Sequence, residues 1–246
     1  MTQPRFSRGG SSAPALAPRR SALRALHAGA LAAAAAALGG WRCARAAEAN
    51  TLVSAAEAGD VVGLRRLLDA GAAVDTRDRR RRTALLAATH ANRVEAARLL
   101  IERGADVNAK DDLQDSPFLY AGAEGRLEIL RLTLGAGADL TSINRYGGNA
   151  LIPAAHHGHV ETVRELLRTR IDIDHVNRLG WTALLEAIIL GDGGAAHTEI
   201  VRLLVAHGAN VNLPDAQGVT PLSHAERRAQ RPIADILRRA GAIARP

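Results

Sequence analysis

The sequence predicts an all-α repeat solenoid, and three observations predict it. A six-residue segment recurs at a spacing close to 33 residues. A Gly-Ala pair follows nearly every copy in constant phase. Between these markers, apolar residues return at three- and four-residue spacing, which lines one face of a helix. Composition agrees. Of the 246 residues 47% are apolar but only 2% are aromatic, so alanine and leucine must do most of the packing. Thin helices that stack closely suit that supply better than a thick globular core.

The first marker opens each unit. Thr83-Ala84-Leu85-Leu86-Ala87-Ala88 reappears as Ser116-Pro117-Phe118-Leu119-Tyr120-Ala121 and as Asn149-Ala150-Leu151-Ile152-Pro153-Ala154. Two more copies are Thr182-Ala183-Leu184-Leu185-Glu186-Ala187 and Thr220-Pro221-Leu222-Ser223-His224-Ala225, and a degenerate first copy starts at Thr51-Leu52. The steps between starts are 32, 33, 33, 33 and 38 residues. The Thr, Ser or Asn side chain is placed to accept a bond from the free amides of a first helix. Proline or alanine then fills the first helical position, where no amide partner is lost.

A short first helix leads through a turn, with Gly59, Gly125 or Gly158, into a second, amphipathic helix such as Val94-Glu95-Ala96-Ala97-Arg98-Leu99-Leu100. Gly71, Gly104, Gly137, Gly208 and Gly241, each followed by alanine, close the second helices, because the residue after a helix end often takes a left-handed backbone. The equivalent slot in the fourth unit holds Arg170, which the register predicts to be left-handed as well. Residues 105–108 then extend into a tight turn near Asp111. One unit cannot bury its own apolar face, so neighbours must stack into a continuous core.

This pattern resembles the ankyrin family, whose repeat is a β-turn and two helices. The resemblance covers residues 50–243 and implies a stack of helix-turn-helix units joined by β-hairpin-like turns, about six repeats with the first and last as caps. It also implies a protein that binds other proteins, through the hairpin tips and the exposed side of the first helices. The chain departs from the family where histidine commonly follows the Thr-Pro-Leu triplet. Leu86, Leu119, Ile152, Leu185 and Ser223 stand there, so apolar packing is expected to replace a polar network between repeats. The fifth repeat carries five extra residues, Asp192–Ala196, between its helices.

The segment 1–46 reads as an export signal and 47–246 as the repeat domain. A basic stretch ends in Pro18-Arg19-Arg20-Ser21-Ala22-Leu23-Arg24, an apolar run follows from Ala28 to Leu38, and Ala44-Arg45-Ala46 is a small-x-small cleavage site. The arginine pair resembles a twin-arginine signal, with Ala22 where phenylalanine is usual; the general secretion route is the alternative. An Ala-rich tail that is no signal, on an intracellular scaffold, is a third reading. The net charge of +7 belongs to the leader, whose seven arginines face no acid; residues 47–246 carry 25 basic and 25 acidic side chains. The mature protein therefore has no general attraction for nucleic acid or an anionic membrane. Cys43, the single cysteine, precedes the cut.

The expected mature protein is a monomer, without stable membrane insertion, that binds another protein in the periplasm as an accessory or protective partner. The alternative is a secreted effector with a foreign target. The candidate partner-binding residues are Tyr146, Leu179 and Trp181 at tips, and Ile189 and Leu190 at the end of a first helix. Large apolar side chains at positions that water normally holds are the material of binding hot spots. Packing of Trp181 and Ile189 against a neighbouring repeat is the competing reading. Arg79 and Arg80, within the run Arg79-Arg80-Arg81-Arg82 at the first tip, could grip an acidic partner, with Asp111, Asp112 and Asp115 near enough to neutralise the run. The cluster His156-His157-Gly158-His159 fits an ankyrin inter-helix turn better than a metal site, which needs convergent ligands. The insertion 192–196 lacks a phosphate-binding lysine. No nucleophile or zinc-protease motif is present, so no catalytic residue, metal or cofactor is expected.

Overall fold

A computed structural model describes residues 51–245. The leader, its proposed cleavage site and Cys43 lie outside the described residues. The described residues form six helix pairs: α1 (51–58) with α2 (Val61–Asp69), α3 (Ala84–His90) with α4 (Val94–Glu102), and α5 (Pro117–Ala123) with α6 (Leu127–Gly135). Then come α7 (Leu151–His156) with α8 (Val160–Leu167), α9 (Ala183–Ile189) with α10 (Ala195–Ala206), and α11 (Pro221–Arg227) with α12 (Arg231–Arg239). From α3 onward each first helix packs on the next first helix, and from α2 onward each second helix on the next second helix, so the repeats stack in two layers. The fold is the all-α repeat solenoid that the spacing predicts. No strand is assigned among the described residues; the hairpin-like segments are linked turns.

The core repeats with the sequence. Leu52, Leu85, Phe118, Leu151 and Leu184 are buried along the first layer, and Leu100, Leu130, Leu166 and Leu204 along the second. Small side chains let the layers close: a Cβ at Gly122 would stand 2.9 Å from that of Ala150. Thr83, Ser116 and Thr182 cap their helices by accepting from the amides of Leu86, Leu119 and Leu185, each at 3.2 Å. Asn149 accepts instead from Leu151.

Two local expectations need correction. Thr220 makes no such cap; its hydroxyl donates to the carbonyl of Ile243 at 2.8 Å and accepts from the amide of Arg245, so it ties down the end of the last repeat. Arg170 is not left-handed, unlike Gly71, Gly104, Gly137, Gly208 and Gly241. The Thr169 hydroxyl donates to the Leu166 carbonyl at 2.6 Å and accepts from the Ile171 amide, which supplies by side chain what a left-handed residue supplies by backbone. An Arg170→Gly change therefore relieves no strain there.

The insertion is built into the stack. Asp192 accepts from the Gly194 amide and faces His197 Nδ1, both at 2.8 Å. His197 Nε2 meets the His156 carbonyl of the previous repeat at 2.9 Å. From the following repeat, Gln230 donates to the Ile188 carbonyl at 3.1 Å. The extra residues thus lie within a clasp that joins the last three repeats.

Candidate functional site

The tips are built by one residue type that sequence reasoning missed. Asp78, Asp111, Asn144, Asn177 and Asp215 occupy equivalent places, and each accepts through Oδ1 from the amides two and four residues on, at 2.8–3.1 Å. Asp and Asn side chains favour such turns because they replace a backbone partner locally. The next-to-last residue of each turn is left-handed: Arg81, Gln114, Gly147, Gly180 and Gly218. The signal was present as an acid or amide at the 33-residue step, ahead of each helix marker. This frame puts Arg80, Leu113, Tyr146, Leu179 and Gln217 at the same point of successive tips.

Tyr146 is 58% exposed, Leu179 53% and Leu190 43%. These three line one cleft of about 390 Å³ between the tips of the third, fourth and fifth repeats and the helices α5, α7 and α9. Ile152 and Pro153 add apolar wall, and Tyr120 and His156 polar wall. Trp181 and Ile189 are half-buried and do not line the cleft. Arg79 and Arg80 are exposed at the first tip, outside it. The neighbouring acids only partly answer the arginine run. Arg81 stands 3.9 Å from Asp112, and Arg82 pairs with Asp78 at 2.9 Å. Asp115 turns the other way and pairs with Arg145 at 3.2 Å, while Asp111 is the buried turn residue.

Beneath the cleft lies Glu186, only 6% exposed. The Asn177 side-chain amide donates to its Oε1 at 2.7 Å, and His156 Nδ1 stands 3.7 Å from Oε2. Burial pushes the Glu186 carboxyl up to about 7, against the pull of the Asn177 bond. Burial and the neighbouring imidazoles hold His156 below the usual imidazole range. Asp115 is raised by burial, which Arg145 partly offsets.

Glu186 also refines the expected loss of polar ties. Leu86, Leu119, Ile152 and Leu185 are buried as predicted, but polar pairs appear one residue further on. Asn177 meets Glu186, and Asp215 meets His224 at 2.7 Å, so these bonds tie a tip to its own first helix. His157 Nδ1 lies 2.7 Å from the Ala123 carbonyl of the previous repeat, which uses the histidine cluster as a tie between turns.

The comparisons with known proteins agree with this architecture. A family model described as ankyrin repeats (3 copies) matches residues 24–111 and 118–196, and a single ankyrin repeat model matches 179–216. The chain is similar to the putative ankyrin repeat protein YahD of Escherichia coli (strain K12), 49% identical over 57 residues. That match covers 23% of this chain and 28% of the length of YahD. An ankyrin repeat domain from Acinetobacter baumannii AYE, known from a crystal structure, is 56% identical with a TM-score of 0.77, over 78% of this chain and 98% of that one. The ankyrin repeat domain of Bcl-3, described as a unique member of the IkappaB protein family, is 30% identical with a TM-score of 0.71, over 78% and 86% of the two chains.

Proposed function

The chain belongs to the ankyrin-repeat family, and from that premise we propose that it is an exported, non-catalytic protein-binding module of the periplasm. Ankyrin repeats make it a protein–protein interaction module. The finer reading is that its partner docks on the cleft of the third to fifth repeats, and one observation carries it: Tyr146, Leu179 and Leu190 are exposed together around a single recess. An exposed aromatic ring and two exposed leucines are suited to serve as anchors for a partner side chain. Trp181 and Ile189, half-buried outside the cleft, are not part of this docking surface, and Arg79 and Arg80 offer an outlying basic contact. The leader supports the periplasmic assignment through its basic stretch, short apolar run and cleavage site.

The test is one capture experiment. The protein is produced with its leader and recovered, processed near Ala47, from the periplasmic fraction with whatever it binds. The double change Tyr146→Ala with Leu179→Ala is expected to cost the bound partner at least about 2 kcal/mol. Its urea unfolding should match that of the parent within about 0.5 kcal/mol, since both side chains are on the surface. Undiminished capture by the variant would remove the cleft from the binding surface. Unprocessed protein in the cytosol would remove the periplasm.

A further inference from the structure

The cleft carries more than an apolar wall, and its charge is unbalanced. Three carboxylates line it: Asp115, Glu124 and Glu186. Its only arginine, Arg145, is already paired with Asp115 at 3.2 Å and lies 4.9 Å from the centre of the Tyr146 ring. Among the described residues Glu124 has no ion pair. Glu186 is supplied by one neutral donor at Oε1, and its Oε2 receives no hydrogen bond. A carboxylate can accept about four bonds, so Glu186 keeps accepting capacity for a further donor.

We infer that the cleft receives an arginine side chain from an extended segment of the partner protein, with its stem between Tyr146 and Leu179 and its guanidinium on Glu186. The inference rests on the proposal that the cleft is the docking surface. Charge complementarity selects the occupant. A guanidinium presents several donors in a planar fork, matches a carboxylate, and stacks on aromatic faces. The apolar stem of arginine suits walls of Tyr146, Leu179, Leu190 and Ile152. A carboxylate occupant would face Glu124 and Glu186, and a purely apolar one would leave Oε2 without a donor. The elevated Glu186 carboxyl agrees with this, because a bound cation restores the charge that burial disfavours.

The probe is the blocked amino acid N-acetyl-arginine-methylamide, with N-acetyl-citrulline-methylamide as its neutral isostere, titrated into the repeat domain 47–246 and followed by amide NMR shifts at pH 8. A ligand of this size is expected to bind with a Kd on the order of 1 mM. Shifts should centre on Tyr146, Leu179 and Glu186, and arginine should bind at least tenfold more tightly than citrulline. Glu186→Gln keeps an acceptor for Asn177 and removes the charge. It should erase the preference for arginine while the amide spectrum stays that of a folded stack. Equal binding of the two probes, no binding of either, or an unchanged preference in the variant would overturn the inference. The failures are separable from those of the docking proposal. If Tyr146→Ala with Leu179→Ala abolishes partner capture while Glu186→Gln captures normally, the surface stands and the arginine falls.

Discussion

The early and late tips of this stack share a turn and keep an arginine beside its crest, at Arg79, Arg145 and Arg178, but the crest itself is Arg80 in the first and Tyr146 and Leu179 in the others. In the second repeat Arg79, Arg80 and Arg81 are exposed and Arg77 is half-buried, and the chain's one lysine, Lys110, opens the next tip. Ile143 and Tyr146 hold the places of Arg77 and Arg80 two repeats on, and Val176 and Leu179 hold them three repeats on, all four exposed. The basic tips spend their charge partly on structure: Arg77 donates to the Lys110 carbonyl, and Lys110 donates to the Ile143 carbonyl at 2.8 Å. The late tips use the Arg178 guanidinium, which donates to the Arg145 carbonyl at 2.8 Å, and the backbone link is common to both regions: the Asp112 amide donates to the Arg80 carbonyl at 3.2 Å as the Arg178 amide does to the Tyr146 carbonyl at 3.0 Å. The turn itself is the same throughout, because Asp78 and Asn177 make the same pair of bonds. The Asp or Asn that builds each turn and the residue at its crest are therefore distinct, and the crest is free to vary with a partner.

The largest expected effect breaks the shared frame. Asn177→Ala removes two turn bonds and the donor to Glu186, all at a buried residue. It should cost roughly 3–4 kcal/mol in urea unfolding, because buried groups are left without partners. A loss below about 1 kcal/mol would show that the tips hold without it.

The next effect sharpens the contrast between the late tips and the early ones. The Glu186 carboxyl is raised from 4.5 to about 7 in the folded chain. A raised acid binds its proton more tightly when folded, so its contribution is fully present below pH 4.5 and lost as pH rises through about 7. The depressed histidines, His90, His156 and His159, act in the opposite direction, losing stability as pH falls below 6.5. The difference between the parent and Glu186→Gln isolates the carboxyl. Between pH 8 and pH 5 the parent should gain roughly 2–3 kcal/mol relative to the variant. A flat difference would mean that Glu186 titrates as an exposed acid.

The smallest effect concerns the basic tip. Arg79→Ala with Arg80→Ala should change folding stability by less than about 0.5 kcal/mol. If this tip contacts the partner, association should slow severalfold at low salt and recover parental rates at high salt, as rim charges act mainly on encounter. Salt-independent loss would place the arginines inside the interface.

The repeat architecture was legible because its causes are local. Caps, left-handed glycines and helical periodicity act within a few residues, so Thr83, Gly104 and Leu100 announced their roles unaided. The exception at Arg170 shows the limit of register. Thr169, one residue earlier, had a second way to close the helix, and a repeat pattern cannot choose between two local solutions. The candidate site was legible only as a set of misplaced apolar residues. Sequence marked Tyr146, Leu179, Trp181, Ile189 and Leu190 alike, since all depart from a solvated tip or helix end. Stacking alone separated them, by turning Tyr146, Leu179 and Leu190 toward one cleft and leaving Trp181 and Ile189 half-buried outside its lining. Glu186 went unnoticed for the same reason. Its meaning depends on Asn177 nine residues before it and on His156 a repeat away, and on the burial that the assembled helices impose. The sequence by itself determined how many helices there are to stack and, through short-range capping and periodicity, where most of them begin; α10 is the exception, starting at Ala195 within the segment expected to lie between helices. Only the tertiary structure decided which side chains share a space and at what polarity, because neighbours about 33 residues apart meet across a packed interface that no local rule describes.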